Sequence, residues 1–290
     1  MDQVNIIRDL LIWLEGQLDQ PLSLDSVATK SGYSKWHLQR MFKNVTGQSM
    51  GSYIRARRLT KTAIALRLTS RSILDIGLQY CFDSQQSFTR AFKNKFAQPP
   101  ASYRRADCWN TVGIHSPLRL EGFIPFQPKF VTLPETKLVG IMQTYSCRLE
   151  QISSFRTEAR LHFWQQYLGE SLLMPPELYG LNHSRPSKYK DDEHEMRYIT
   201  ALEPRYVQDN MFPGASVILP GGDYARFLYK GPTDGLQDFI ISLYEYSLPT
   251  YKMTRRKGFD VERFRPPERV GKEALPPEAI CCEYFIPVLR

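Results

Sequence analysis

The 290-residue sequence lacks several features that mark large classes of proteins. Its five cysteines form no CxxC pair and no cysteine–histidine ligand spacing, which excludes the common zinc modules and a disulfide scaffold. An odd, scattered set of thiols is typical of a reducing compartment. No apolar run approaches the ~18 residues that span a membrane, and the charged residues near the start of the chain argue against a signal peptide. We therefore expect a soluble, cytoplasmic protein without a membrane partner.

Catalytic motifs are missing as well. The sequence contains no GxSxG, P-loop, HExxH or GxGxxG motif, and its five histidines show no metal-ligand spacing. The adjacent residues His194 and Glu195 fall in a predicted strand, where neighbouring side chains point to opposite faces. We predict that the protein is not an enzyme and that it holds no metal and no cofactor.

Positive charge, by contrast, is in excess and lies in one part of the chain. The net charge is +8 and the pI is near 9.2. Residues 1–110 hold 16 Lys and Arg against 8 Asp and Glu, whereas residues 111–290 hold 22 of each kind. A basic first third followed by a neutral remainder indicates a dedicated nucleic-acid-binding domain.

The basic part contains an internal repeat. Residues 24–55 align without a gap on residues 74–105, with 11 identities in 32 positions, where random pairing gives roughly two. Each copy has the pattern of two helices joined by a tight turn. All-α repeat proteins also contain such hairpins with a merely solvated polar face, so the repeat alone leaves that alternative open.

The first copy predicts a helix capped by Ser23 and a second helix opened by Ser34, with Gly32 in the turn between them. An apolar face for the core and a polar face lie about 200° apart on the second helix. The polar face consists of Trp36, Gln39, Arg40 and Lys43. A helix that presents Gln, Arg and Lys outward suits the major groove of DNA.

In the second copy, Ser84 opens the second helix, and Pro99 and Pro100 are predicted to end it. The outward face consists of Gln86, Thr89, Arg90 and Lys93, with Gln85 beside them. A long helix over residues 49–68, which includes Arg55, joins the copies and, if rigid, sets the recognition helices ~34 Å apart, one turn of DNA. A helix over residues 5–19 is predicted to pack as a lid on the first copy.

Two segments resemble the double helix-turn-helix domain of the AraC/XylS transcription activators: LDSVATKSGYSKWHLQRMFKNVTGQSMGSYIRARRL and ILDIGLQYCFDSQQSFTRAFKNKFAQPPASYRR. Within that family they are most similar to activators of multidrug, superoxide and solvent resistance. The resemblance implies base contacts from both recognition helices, and the second helix matches the family's SQQ(S/T)xxR run. The implied residues are Trp36, Gln39 and Arg40 on the first helix and Gln85, Gln86, Ser87 and Arg90 on the second. We add Lys43, Lys93 and Arg55 to the predicted DNA-binding residues.

Some of these positions leave alternatives open. Arg40 and Arg90 are equivalent in the repeat and suit either guanine or phosphate contacts. Trp36 lies on the polar stripe, which favours packing on a base or sugar over a role as a buried anchor. Asp83, just ahead of the second recognition helix, either repels a phosphate or accepts a hydrogen bond from a cytosine amine.

Residues 108–121 lack periodicity and are predicted to link a first domain, residues 1–107, to a second, residues 122–290. The second domain alternates short strand patterns with two helical stretches, near residues 150–168 and 235–247. The order of one strand, one helix and further strands occurs twice. We predict an all-α double helix-turn-helix domain followed by an α+β domain with two related halves around a pseudo-twofold axis.

The second domain resembles the GyrI-like effector-binding domains, most clearly in YGLN, GGDYARFLYKG and GFDVERFRPP. That resemblance implies a groove between the halves that holds a small amphipathic or cationic molecule against aromatic walls and a carboxylate. Our candidate effector-binding residues are Glu262 and Trp164. The alternatives are a solvated strand residue for Glu262 and a core aromatic for Trp164.

Together with these resemblances, the sequence predicts a sequence-specific DNA-binding activator of stress and multidrug-resistance genes. We expect it to bind double-stranded DNA as a monomer, in association with the nucleoid, with RNA polymerase as a partner. Its second domain is expected to bind small amphipathic molecules. The alternative is a DNA-binding protein whose second domain serves only protein–protein contacts or sequestration.

Overall fold

The computed structural model describes residues 3–165, 175–186, 194–207, 213–265 and 278–289. The chain forms two compact units. The first, which we call the helical unit, comprises Met1–Arg67, Ser72–Arg105 and Thr111–Pro125. The second, the sheet unit, comprises Leu68–Arg71, Ala106–Asn110 and Phe126–Arg290. The predicted linker over residues 108–121 is thus divided between the two units, and the predicted boundaries at 107 and 121 stay predictions.

The helical unit consists of helices that follow the predicted repeat. They are α1 (Gln3–Glu15), α2 (Leu24–Ser31), α3 (Lys35–Thr46), α4 (Met50–Leu68), α5 (Ile73–Gln79), α6 (Gln85–Phe96) and α7 (Pro100–Arg105). Ser23 caps α2, and its hydroxyl accepts a hydrogen bond from the Ser26 amide. Gly32 follows α2 at φ 72°, a left-handed conformation that glycine adopts without strain. The first helix-turn-helix unit therefore forms as its local sequence predicts.

The second copy is capped in the same way but ends differently. Ser84 opens α6, and its hydroxyl accepts a hydrogen bond from the Ser87 amide. The prediction that Pro99 and Pro100 end this helix was wrong. Helix α6 ends at Phe96, because Ala97 adopts the left-handed conformation at φ 60°. Pro100 instead begins α7, since a helix start tolerates the missing N–H of proline.

Each copy packs around its own buried side chains. In the first copy, the predicted apolar face of α3 forms a buried seam, Leu38, Met41 and Phe42, beside Ile7 and Leu10 of α1, which forms the predicted lid. In the second, Phe88, Ala91 and Phe92 are buried, and burial of each phenylalanine stabilises the fold by about 1.5–3 kcal/mol. Gly77 of α5 lets α6 approach closely, because a Cβ there would lie 3.0 Å from Phe88 Cδ1.

A buried ion pair fastens α1 to α4. Arg57 is 0% exposed, and its Nε and Nη2 each donate to a carboxylate oxygen of Glu15 at 2.9 Å. The Tyr53 hydroxyl donates to the same carboxylate at 2.6 Å, and Arg57 Nη1 also donates to the His115 carbonyl. Part of the positive charge of the first third is therefore structural, because it holds two helices and the segment around His115 together.

The sheet unit contains one antiparallel sheet and the helices packed on it. Its elements are β1 (Lys129–Leu133), β2 (Thr136–Tyr145), α8 (Ile152–Phe163), β3 (Leu178–Pro186), β4 (His194–Leu202), β5 (Ala215–Leu219), β6 (Gly222–Pro232), α9 (Leu236–Ser242), α10 (Leu248–Thr250), β7 (Thr254–Arg255), β8 (Asp260–Phe264) and β9 (Ala279–Leu289). The strand order is β1-β6-β9-β8-β3-β4-β2-β5, with β7 paired to β9. The strands predicted from the sequence all appear.

The two predicted related halves are confirmed by this order. The first half runs β2-α8-β3-β4 and the second β6-α9-β8-β9, so both follow the plan strand, helix, strand, strand. In the sheet, β2-β4-β3 mirrors β6-β9-β8, and β3 pairs with β8 at the centre. The halves also exchange a strand each, since β1 pairs with β6 and β5 pairs with β2. The sheet is thus continuous across the pseudo-twofold axis.

Across the described residues, no helix combines the length and the apolar character that a membrane crossing requires.

Candidate nucleic-acid interface and effector site

Helix α3 presents the predicted polar face to solvent. Trp36, at 66% exposed, and Gln39, Arg40 and Lys43 all lie on the exposed side, opposite the buried seam. The guanidinium carbon of Arg40 lies 5.3 Å from the centroid of the Trp36 ring, a cation–π contact. An exposed indole rules out the buried-anchor alternative for Trp36. The contact holds the two largest side chains of the face side by side before any ligand is bound.

Helix α6 presents its predicted face in the same way. Gln85, Gln86, Arg90 and Lys93 are exposed. Ser87 is exposed too, but its hydroxyl donates to the Ser84 carbonyl at 2.9 Å and accepts from the Ser84 amide at 3.2 Å. This reciprocal capping box occupies the only proton that the Ser87 hydroxyl can donate. In a contact with DNA, the Ser87 hydroxyl oxygen could therefore only accept a hydrogen bond through its remaining lone pair, unless its hydrogen bonds with Ser84 were first broken.

Three arginines of α4 have different environments although they lie within four residues. Arg55 is exposed and has no polar partner among the described residues. Arg57 is buried against Glu15, and Arg58 donates to the carbonyls of Leu18 and Gln20 beyond α1. Of the three, Arg55 has the guanidinium most open to an external phosphate.

Glu262, predicted as a groove carboxylate, lies in the core of the sheet unit. It projects from β8 and is 0% exposed, which excludes the solvated alternative. Arg156 Nη1 donates to Oε1 at 2.6 Å and Arg160 Nη1 to Oε2 at 3.0 Å. The Tyr198 hydroxyl also donates to Oε2, at 2.8 Å. Both arginines come from α8, four residues apart, so one turn of that helix covers the carboxylate.

The surroundings of Glu262 raise the pKa values of the arginine and tyrosine side chains around it. Burial lowers the pKa of Arg156, but the charge of Glu262 together with the hydroxyls of Tyr145 and Tyr284 more than offsets burial and leaves that pKa well above its ordinary value. Burial and the same carboxylate raise the pKa of Tyr198. The cluster therefore contains two charged arginines and one carboxylate, with Arg156 Nε lacking a hydrogen-bond partner among the described residues.

Gly180 of β3 makes room for this arrangement. A Cβ at this position would lie 2.3 Å from the Tyr198 hydroxyl oxygen and 2.7 Å from Glu262 Oε2. Any larger residue would displace the carboxylate or its tyrosine partner. The glycine of the YGLN segment is thus explained by close approach of side chains.

Trp164, the other predicted effector residue, follows α8 and is 2% exposed. It packs in a core cluster with Phe163, Leu178 and Leu202, which matches the alternative of a core aromatic. Its indole nitrogen has no hydrogen-bond partner among the described residues. Glu262 belongs to a different set of contacts, and the described contacts do not bring the two predicted effector residues together.

Sequence reasoning missed a second buried ionic group. Asp260, two residues before Glu262 on β8, accepts hydrogen bonds from Arg255 Nε at 2.9 Å and from the hydroxyls of Tyr244 and Tyr284. Trp109 stacks on the ring of Tyr244 with centroids 4.9 Å apart. The alternation of Asp260 and Glu262 on one face of a predicted strand was the available signal, because two carboxylates on a buried face require partners.

Comparison with known proteins agrees with both units. Residues 27–106 match the family described as a helix-turn-helix domain, and residues 126–289 match the GyrI-like small molecule binding domain. The chain is 57% identical over 290 residues to the right origin-binding protein of Escherichia coli K12, covering 100% of both chains. The same identity and coverage hold for the transcriptional regulator Rob of Salmonella typhimurium LT2. The regulatory protein SoxS of Escherichia coli K12 is 51% identical over 104 residues, 36% of this chain and 97% of SoxS.

Proposed function

Since this chain belongs to the family of the right origin-binding protein Rob and carries a GyrI-like small-molecule-binding domain, we propose that it is a sequence-specific DNA-binding transcription activator. Its targets are stress and multidrug-resistance genes. It binds DNA as a monomer at the nucleoid in the cytoplasm and contacts RNA polymerase. One chain already carries two recognition helices, so no second copy is needed to present a pair.

The observation that supports this proposal best is the exposed face of α3. Its side chains combine a bidentate donor, Arg40, an amide that can pair with adenine, Gln39, and a flat apolar ring, Trp36. Because the cation–π contact holds Arg40 against Trp36, less side-chain entropy is lost when the arginine meets a base. Lys43 and Arg55 bind phosphates, which fix the register of the helix on the duplex.

We propose that α6 makes the second, weaker set of contacts. Arg90 and Lys93 bind the phosphate backbone or a guanine, and Gln85 and Gln86 lie at the start of the helix, where side chains reach base edges. The hydroxyl of Ser87 is engaged in the cap, so we expect it to contribute less than its neighbours. Asp83 lies exposed just ahead of the cap and opposes close approach of a phosphate.

For the sheet unit we propose binding of a small amphipathic effector between α8 and the sheet. A cation that reaches Glu262 must first displace Arg156 and Arg160, because these two side chains occupy both carboxylate oxygens. Binding is therefore coupled to movement of α8 away from β8. Trp164, next to the end of that helix, supplies apolar surface to a ligand once α8 has moved.

Footprinting of the full chain on genomic fragments tests the DNA part of the proposal. The double variant Trp36→Ala/Arg40→Ala should lose its protected sites, whereas Lys137→Ala, an exposed lysine of the sheet unit, should keep them. Binding to a protected fragment should weaken by orders of magnitude between ~50 and ~200 mM salt if about six to ten phosphates are contacted. A nearly flat plot of log affinity against log salt would contradict DNA binding by this basic unit.

A further inference from the structure

A cavity of about 780 Å³ lies between α8 and α9 in the sheet unit. This volume falls in the range of ligand pockets, ~300–1,000 Å³. Both sides contribute residues with the spacing of one helical face. They are Ser154, Thr157 and Glu158 from α8 and Asp234, Gln237, Asp238 and Ile241 from α9 and the turn before it. The described lining includes neither Glu262 nor its two arginines, so this cavity is separate from the buried cluster.

The charged residues that line the described part of the cavity all have the same sign. Four exposed carboxylates line it, and no Lys or Arg is among the described lining residues; the four are Glu158, Asp234, Asp238 and Glu278. Within the described part of the chain, none of the four carboxylates forms an ion pair. Burial together with the charges of Asp234 and Asp238 raises the pKa of the neighbouring Tyr229, as a negative local potential requires.

An unpaired acceptor lies in the same wall. Gln237 is only 5% exposed, and its side-chain oxygen Oε1 has no hydrogen-bond donor among the described residues. A buried carbonyl oxygen without a donor destabilises the fold, so such groups are normally paired. A ligand that carries N–H donors would satisfy Gln237 and the carboxylates at once.

The chemistry of the wall distinguishes between kinds of cation. The described residues contain no group of three or more carboxylate, His or Cys side chains close enough to hold a metal ion, so the negative charge is spread out. No aromatic ring is among the lining residues that the structure describes, and the apolar ones among them are Ile241 and Pro232. A greasy cation would gain little from such a wall. A wall of separated carboxylates with a few apolar residues between them instead suits a ligand whose ammonium groups are separated by short alkyl chains.

We propose that this acidic cavity binds a linear aliphatic polyamine. Its ammonium groups pair with Glu158, Asp234, Asp238 and Glu278, and one of them donates to Gln237 Oε1. Binding here requires no movement of α8 away from Glu262. The site therefore stands apart from the proposed amphipathic effector, and either site can exist without the other.

Isothermal titration of the full chain with spermidine, without DNA and at low salt, tests the proposal. The double variant Asp234→Asn/Asp238→Asn should bind spermidine about tenfold more weakly, since each exposed ion pair contributes modestly. Glu135→Gln, which removes an exposed carboxylate elsewhere on the sheet unit, is the matched control and should bind as the unaltered chain does. Glu278→Gln offers a variant outside the helices if the double variant unfolds.

Two further measurements separate a site from diffuse attraction. Gln237→Met keeps the shape of the side chain but removes the acceptor, and it should weaken spermidine binding several-fold. Mg²⁺ at matched ionic strength and butylamine should both bind far more weakly than spermidine. The proposal is overturned if the chain does not bind spermidine, even if it binds a lysine-rich peptide. It is also overturned if Mg²⁺ binds as tightly as spermidine, or if the cavity variants and the control variant Glu135→Gln lose the same affinity.

Discussion

Replacing Glu262 with glutamine is expected to destabilise the sheet unit strongly. The substitution keeps the shape of the side chain, and an amide oxygen can still accept from Arg156 or Arg160. Among the described residues, it removes the only carboxylate in hydrogen-bond contact with two guanidiniums that are at most 4% exposed. Breaking a buried ion pair in this way leaves uncompensated charge and costs about 3–5 kcal/mol. A loss of this size outweighs any selective effect on the binding of cationic ligands.

A matched control lies on the neighbouring strand. Glu283 of β9 also pairs with two arginines, Arg226 at 3.1 Å and Arg263, but all three side chains are 22–30% exposed. Because water reaches this trio, Glu283→Gln should reduce the free energy of unfolding by about 0–1 kcal/mol. The two substitutions are chemically identical, so their difference isolates the effect of burial.

Urea unfolding of the full chain measures both variants. Trp109 and Trp164 are 2% exposed in the sheet unit, so tryptophan fluorescence follows its unfolding. The double variant Glu262→Gln/Arg160→Met should recover part of the loss, because one of the two buried charges is then gone. If Glu262→Gln unfolds with a free energy within about 1 kcal/mol of the unaltered chain, or loses no more than Glu283→Gln, the buried carboxylate does not stabilise the sheet unit as we expect.

Three further predictions concern the helical unit. Arg40→Ala should relax sequence specificity by about 1–3 kcal/mol, whereas Arg90→Ala should weaken all sequences more evenly; equal, sequence-independent losses in binding assays would contradict the difference. A fragment ending at residue 125 should melt at a higher temperature than one ending at 107, because the segment after 110 packs on this unit; identical melting temperatures would argue otherwise. Burial, Lys95 and Arg57 lower the pKa of His115, so the folded state resists a proton that the unfolded chain accepts. Stability should therefore fall as pH drops below about 6.5, and His115→Gln should reduce that fall in urea titrations at pH 7.5 and 5.5.

The elements that the sequence predicted are those governed by local rules. Ser23 and Ser34 begin helices because their hydroxyls accept from amides three residues ahead, and Gly32 takes a left-handed conformation whatever lies nearby. The strand patterns appear as strands because alternation of apolar residues depends only on neighbours in the chain. The left-handed conformation of Ala97, which ends α6, was not predicted, because nothing in the sequence marks an alanine that adopts it.

The candidate sites also differ in whether local sequence rules could find them. The outward faces of α3 and α6 follow from helical periodicity, so Trp36, Arg40 and Arg90 were found from the sequence alone. The partners of Glu262 were not, because Arg156 and Arg160 are more than 100 residues away in the chain. The amphipathic pattern of α8 gives its direction but does not identify the strand that it covers.

The caps, the strand and helix patterns and the polar faces follow from the sequence, because each depends on residues that are close together in the chain. The repeat follows from it too, because it is a comparison of two stretches of sequence. Tertiary structure alone decided which charges are used internally. Arg55 and Arg57 are two residues apart on α4, yet one is exposed and the other is buried against Glu15. Burial depends on which distant parts of the chain pack against a residue. Where they exclude water, a carboxylate or guanidinium forms an internal ion pair and is no longer available to a ligand.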